Sequence, residues 1–264
     1  IDLFCSLLPG HRNRGNPVRN IIKMSDLTNQ NVFDFQEGET LLINKPLDWT
    51  SFNVVSKIRY IIRHNTEIKK IKVGHAGTLD PKATGLLIIC TGRNTKKIQQ
   101  YQGSDKEYTG SFLLGKSTPS FDTETDIDHE YPITHIHEEL IRETAQKFLG
   151  EQEQIPPIFS AIQVKGKRAY NYARNKEQLE LKARKIHIHE FQIEKVDVPS
   201  ITFRILCSKG TYIRSLARDF GKALSSGAYL SSLCRTRIGE FKLEDAMEIS
   251  AFEEIIKKLY ANRT

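Results

Sequence analysis

Gly74-His75-Ala76-Gly77-Thr78-Leu79-Asp80-Pro81-Lys82-Ala83-Thr84-Gly85 runs directly into Leu86-Leu87-Ile88-Ile89-Cys90, joining a glycine-rich loop to an unbroken apolar run. The apolar run has the length of a buried strand, and it anchors the expected fold. Glycines at 74, 77 and 85 permit backbone angles closed to other residues and let a ligand approach closely. Pro81 fixes its own φ and biases Asp80 away from helical geometry. A carboxylate is thereby held on a stiffened loop between flexible residues. A simple Asp-Pro turn has the same spacing, so the pattern alone leaves a chemical and a structural reading open. It is not a phosphate loop, because the G-x-x-x-x-G-K-[ST] order is missing.

Upstream, Leu41-Leu42-Ile43 reads as a short strand ended by Lys45-Pro46. Thr50-Ser51 can cap a helix whose apolar residues, Val54, Val55, Ile58, Ile61 and Ile62, fall on one face. Downstream, Tyr108 to Leu114 alternates as a strand. Leu140, Ile141, Ala145, Phe148 and Leu149 form a helical stripe closed by Gly150. Ile186 to Val198 is a long strand whose alternation changes phase near Glu190-Phe191, which predicts a bulge. Ile201, Phe203, Ile205 and Cys207 alternate in a strand antiparallel to it. Thr211 starts a helix with Ile213, Leu216, Ala217, Phe220 and Leu224 on one face, and a last helix spans about Ala251 to Tyr260. The interleaving predicts a mixed α/β (α+β) fold, a largely antiparallel central sheet flanked by helices.

Two segments stand apart. Residues 1–35 are poor in periodic apolar positions and are expected to form a disordered N-terminal extension to a domain over 36–264. Residues 1–23 read as upstream translated sequence or a non-native addition. Residues 151–185 read as an excursion from the core: Ile155-Pro156-Pro157 opens it, and Lys165, Lys167, Arg168, Arg174 and Lys176 alternate with Tyr170 and Tyr172. A solvated face is the default for such a run. Alternating cations and aromatics also suit phosphate neutralisation with stacking on unpaired bases.

With 264 residues, 39% hydrophobic and 27% charged, the chain is ordinary soluble globular material. No window is long and apolar enough for a membrane helix. Net charge is +7, of which residues 1–23 carry +3, so a mildly basic body fits a polyanionic partner without requiring one. Cys5, Cys90, Cys207 and Cys234 form no C-x-x-C pair and read as reduced cysteines of a cytoplasmic protein. The order of apolar and basic residues at the start is not that of a signal peptide. G-x-S-x-G, H-E-x-x-H and G-x-G-x-x-G are all missing. His187 and His189 share a strand face, but no third metal ligand is evident, so they read as exposed strand histidines.

Several ordered motifs together resemble TruB-type pseudouridine synthases. Residues 74–85 are similar to that family's catalytic-aspartate motif. Leu42-Ile43-Asn44-Lys45-Pro46 resembles its opening lysine-proline motif, and Asp105-Lys106-Glu107-Tyr108 the segment with its active-site tyrosine. Ile155-Pro156-Pro157, Ser160-Ala161 and Lys165-Gly166-Lys167-Arg168-Ala169-Tyr170 resemble an RNA-gripping insertion. Cys207 to Leu216 resembles the arginine motif, and Leu233-Cys234-Arg235-Thr236 the late leucine-arginine motif, with Cys234 where relatives often carry a first arginine. The matches run from about residue 38 to 250.

The resemblance implies a pseudouridine synthase fold and isomerisation of uridine-55 in the T-arm loop of tRNA by base flipping. It implies Asp80 as nucleophile, Tyr108 stacked on the target base, and Arg214 paired with Asp80. Tyr212 and Leu233 would line the pocket, His75 and Lys45 would support loop and substrate, and Lys165, Lys167 and Arg168 would grip RNA. Without the resemblance, Tyr108 reads as an ordinary strand aromatic and Arg214 as a helix-surface partner of Asp219. No metal or organic cofactor is expected, and tRNA is the expected partner of a monomer with no obligate protein partner. Many members carry a C-terminal PUA domain. Only about 14 residues follow Ser250 here, so RNA affinity is expected to rest on the catalytic domain. An RNA-guided pseudouridylation subunit and a non-catalytic RNA-binding module are the alternatives; the short chain argues against the first, and the joint presence of Asp80, Tyr108 and Arg214 against the second.

Overall fold

The computed structural model describes residues 33–160 and 181–261, together with the backbone of 21–22, 163–164 and 167–168. In chain order its elements begin with β1 (Ile21–Ile22), β2 (Thr40–Lys45), α1 (Ser51–Asn65), β3 (Val73–His75), β4 (Ala83–Thr91), α2 (Ile98–Gly103) and β5 (Lys106–Leu114). Then come β6 (Lys116–Ser117), β7 (His129–Glu130), α3 (Glu138–Gln146), β8 (Gly150–Gln154), β9 (Gln163–Val164) and β10 (Lys167–Arg168). The last are β11 (Arg184–Asp197), β12 (Ser200–Cys207), α4 (Ile213–Ala223), β13 (Ala228–Ile238), β14 (Phe241–Lys242) and α5 (Ile249–Tyr260).

One large sheet carries the molecule, in the order β1-β2-β4-β13-β5-β12-β11-β8, with β3 beside β4 and β14 beside β13. Its pairings are antiparallel except β1 with β2 and β4 with β13. The expected mixed, largely antiparallel architecture is therefore present. The run Leu86–Cys90 lies in β4, where each of its residues is fully buried. Such a strand must be covered on both faces, and it is: α1 and α5 pack on one side, while Tyr101 of α2, Ile238 and Phe241 cover the other. A third cluster sits under α3 and α4, where Phe112, Phe191, Phe203 and Phe220 meet edge-on or tilted.

Local chemistry explains the boundaries. Thr50 caps α1 by accepting from the Asn53 backbone N–H, and the Asn53 side chain returns a bond to the Thr50 backbone, completing a capping box. The phase change in the long strand is a register shift of β11 against β12 between Ile188 and Glu190, with a second between Ile193 and Lys195.

Two expected boundaries move. Phe33 and Phe35 are buried against Phe252, and Ile21–Ile22 pairs with the edge of β2, so the fold starts inside the 1–35 segment. Two phenylalanines spaced by one residue carry no helical or strand period long enough to be read locally. The insertion is also shorter than 151–185: Gly150–Gln154 is strand β8 of the main sheet, paired with Arg184–Ile188. Its polar sequence, GEQEQ, gives no hydrophobic signal because it lies at a sheet edge. The remaining excursion includes the β9–β10 hairpin; Lys165 lies outside the described residues.

Candidate active site

Everything around Asp80 serves to hold one loop in place. The loop leaves β3 at His75 and returns to the sheet at Ala83, with Gly77 (φ 105°) and Gly85 (φ 107°) in conformations that side chains resist. At Gly85 the reason is visible in the ladder. Gly85 pairs with Arg235 on parallel β13, and a Cβ there would stand 2.4 Å from the Arg235 carbonyl oxygen.

Four anchors fix the turn. The Ser51 hydroxyl donates to the Leu79 carbonyl (3.1 Å) and accepts from the Leu79 N–H (2.8 Å). The Asp48 N–H donates to the Pro81 carbonyl (2.9 Å). Lys45, fully buried, donates from Nζ to the carbonyls of Pro46 (2.8 Å), Trp49 (2.6 Å) and Pro81 (3.3 Å). Burial pulls its ammonium down to about 8, against the opposing pull of Asp80 and Asp48. Arg235, 1% exposed, donates to the carbonyls of Leu86 (2.8 Å), Gly77 (3.2 Å) and Thr78 (3.4 Å).

The Asp80 carboxylate takes a two-pronged contact from Arg214 in the first turn of α4. Nε donates to Oδ2 (2.9 Å) and Nη2 to Oδ1 (3.1 Å). The Arg214 side chain is 4% exposed while that of Asp80 is 33% exposed, so the cation is buried and the carboxylate still reaches solvent. Arg214 also donates from Nη1 to the Ser120 carbonyl (3.3 Å) and lies 3.6 Å from Asp122 Oδ2. Asp122 is buried, and its Oδ2 has no hydrogen-bond partner. One planar guanidinium thus bridges two carboxylates, a geometry that suits arginine better than lysine.

A cleft of about 460 Å³ opens beside the pair, lined among others by Leu79, Asp80, Tyr108, Tyr212, Arg214 and Leu233. All of these but Leu79 are residues singled out from sequence. Tyr108 sits on β5 opposite Arg235; burial pushes its phenol up, and the Arg235 charge opposes this. The Arg184 guanidinium carbon lies over the Tyr212 ring, 4.8 Å from its centroid. Such a cleft can hold a flipped planar base between apolar and aromatic walls, next to a carboxylate paired with its arginine.

Other expectations are redrawn. Lys45 is fully buried, and its Nζ is taken up by three backbone carbonyls around the loop. Burial lowers the pKa of His75, which the Gly77 backbone opposes, and its Nδ1 is buried without a hydrogen-bond partner among the described residues. Arg218, not Arg214, pairs with Asp219. Lys167 and Arg168 form β10, paired with Gln163–Val164 of β9. His189 Nε2 stands 3.2 Å from Asp105, and among the described residues no group of three potential ligands is placed to hold a metal ion.

Sequence reasoning missed Asp122, Arg184 and the anchoring role of Arg235. Arg235 stood inside a recognised motif, but alternation along β13 is interrupted by register shifts at Leu230/Ser232 and Arg235/Arg237, which hid its burial.

Residues 63–213 match the model of the TruB family pseudouridylate synthase (N terminal domain). The chain is 54% identical over 225 residues to tRNA pseudouridine synthase B of Flavobacterium johnsoniae, covering 85% of this chain and 98% of that protein. It is 55% identical over 221 residues to tRNA pseudouridine synthase B of Phocaeicola vulgatus, covering 84% and 94%. A chain in the crystal structure of a Cbf5-Nop10-Gar1 complex superposes with a TM-score of 0.64 at 27% identity, over 83% of this chain but only 54% of that longer one. On motif, loop geometry and likeness together, the chain belongs to the TruB family of pseudouridylate synthases.

Proposed function

We propose that this protein isomerises uridine to pseudouridine in the T-arm loop of tRNA, at position 55, acting in the cytoplasm as a monomer without an obligate protein partner. The observation that carries the reading is the two-pronged Arg214–Asp80 pair at the wall of a cleft shared with Tyr108. The names of the similar synthases supply the substrate class.

The residues divide the work as follows. The target uridine leaves its stack, and the Tyr108 ring replaces the stacking lost. Leu233 and Tyr212 close on the base and exclude water. Asp80 is the nucleophile, and the Arg214 guanidinium holds its carboxylate in place through two hydrogen bonds. During the reaction the N1–C1′ bond breaks, the uracil turns in place, and a C5–C1′ bond forms. One proton leaves C5 and one is gained at N1, so the product is an isomer and no oxidant or reductant is consumed. Lys45 and His75 hold the loop. Lys165, Lys167 and Arg168 grip the RNA backbone.

The test is pseudouridine mapping in a transcribed tRNA treated with the purified protein, without guide RNA, beside Asp80→Asn. Conversion at the T-loop uridine by the unaltered protein, lost in Asp80→Asn with tRNA binding retained, is expected. Conversion that appears only on addition of a guide RNA or partner proteins would replace this reading with the RNA-guided one. Full turnover by Asp80→Asn would refute the nucleophile.

A further inference from the structure

The solvent face of α1 carries exposed aromatic rings beside basic side chains. Phe52, Ser56, Arg59, Tyr60, Arg63 and His64 lie on the side opposite the buried Val54, Val55, Ile58, Ile61 and Ile62. Phe52 is 66% and Tyr60 54% exposed. The rings of Tyr60 and His64 stack at 5.2 Å with an interplanar angle of 11°. Beside them a groove of about 620 Å³ is walled by Ser56, Arg59, Tyr60, Arg63, His64 and Lys69, with no carboxylate in its lining.

Positive charge is concentrated in the same stretch of sequence. Lys57, Arg59, Arg63, Lys69, Lys70 and Lys72 stand against the single acid Glu67, so this short span holds +5 of the chain's net +7. Lys57 is paired with Glu253 (2.6 Å), and Arg59 donates to the Val73 carbonyl (3.2 Å). Arg63, Lys69, Lys70 and Lys72 are exposed and make no ion pair among the described residues. Cations close in sequence and without ion pairs among the described residues repel one another, and a stacked aromatic pair left in water gives up burial. A polyanion carrying unpaired bases answers both features.

Position ties this face to the cleft. The first residue of α1, Ser51, holds Leu79 beside Asp80, and the helix then runs about 20 Å to His64 at 1.5 Å per residue. Lys69–Lys72 leads straight into β3 and the catalytic loop.

We propose that the α1 face, with Lys69, Lys70 and Lys72, is a second RNA-binding surface that holds parts of tRNA outside the T-arm hairpin. Arg63 and the three lysines neutralise phosphates, and the Tyr60–His64 stack receives an unpaired base. The inference rests on the tRNA reading above, and its test can fail separately from that reading.

Binding is measured for whole transcribed tRNA and for the isolated T-arm hairpin, at two salt concentrations, for the full chain and for two variants. One combines Arg63→Gln, Lys69→Gln and Lys70→Gln; the other is Tyr60→Ala. All substituted residues are exposed, and melting temperature serves as the folding control. The triple variant is expected to lose at least ~10-fold in affinity for whole tRNA, with a log–log salt slope shallower by roughly 0.7–0.9 for each phosphate no longer neutralised. Hairpin affinity and the single-turnover rate at saturating tRNA stay within twofold. Tyr60→Ala weakens whole-tRNA binding without changing the slope. Whole-tRNA affinity and slope within twofold of the unaltered protein would overturn the proposal, as would equal losses on tRNA and hairpin. So would a triple variant that binds tRNA normally but no longer binds phosphatidylserine vesicles held by the unaltered protein. Absence of pseudouridine formation by the unaltered protein would instead refute the proposed activity.

Discussion

Replacing Arg214 with lysine tests the arrangement at its centre. The substitution keeps the positive charge but exchanges a planar fork for a single point of donors. In the structure that fork makes two bonds to Asp80, at 2.9 and 3.1 Å, a third to the Ser120 carbonyl, and stands 3.6 Å from Asp122 Oδ2. A lysine ammonium can serve Asp80 or the Ser120–Asp122 side, but not both. Loss of one charge-assisted bond to Asp80 costs about 1.5–3 kcal/mol. On the proposed mechanism this is about 10- to 150-fold in the chemical step, at 1.36 kcal/mol per decade. Leaving the buried Asp122 carboxylate short of its cation costs about 1–3 kcal/mol of stability. That corresponds to a melting temperature lower by roughly 2–12 °C in a domain of this size. Binding of tRNA should change less than threefold, because Arg214 is buried and presents almost no surface to RNA. The assays are single-turnover pseudouridine formation at saturating tRNA, filter binding and thermal melting. A rate within twofold of the unaltered protein would show that the fork geometry has no part in catalysis. A rate loss matched by an equal loss of binding would place Arg214 in substrate affinity instead.

Gly85→Ala should lower stability by about 2–6 kcal/mol, because the added Cβ meets the β13 backbone at 2.4 Å (about 1–3 kcal/mol) and the residue holds φ 107° (about 1–3 kcal/mol); an unchanged melting temperature would mean that β4 and β13 separate at little cost. Neutralising Lys165, Lys167 and Arg168 together should weaken tRNA binding and reduce the salt slope by roughly 0.7–0.9 for each phosphate these side chains had neutralised. An unchanged slope would leave that segment as a solvated hairpin. Burial pushes the Glu39 carboxyl from 4.5 up to about 7, so the folded protein binds this proton more tightly than the unfolded chain. Its contribution is therefore full below about 4.5 and is lost as pH rises to about 7. Glu39→Gln, which keeps an acceptor for the Asp34 N–H, should flatten that part of the stability–pH curve; an unaltered curve would show that Glu39 titrates normally.

The sequence by itself determined the elements whose signals are local. α1 was legible because its cap and its apolar spacing lie within one short segment, and β4 because five consecutive apolar residues tolerate only a covered strand. The bulge in β11 showed as a slip in alternation. Asp80 was legible as a candidate because Gly77, Pro81 and Gly85 restrict the same loop, and the ordered motifs then gave it a role to test. Tertiary structure decided what depends on partners distant in the chain. Arg214 meets Asp80 across 134 positions and leaves Asp219, on its own helix, to Arg218. Arg235 is buried only because three carbonyls converge on it, a compensation invisible along β13. Asp122 reaches Arg214 from a loop with no period at all. Edge strand β8 and the two phenylalanines ahead of β2 are illegible in the sequence for the same physical reason. Burial and pairing belong to the neighbours a segment finds on folding, and polar edge residues or isolated aromatics do not announce those neighbours in advance.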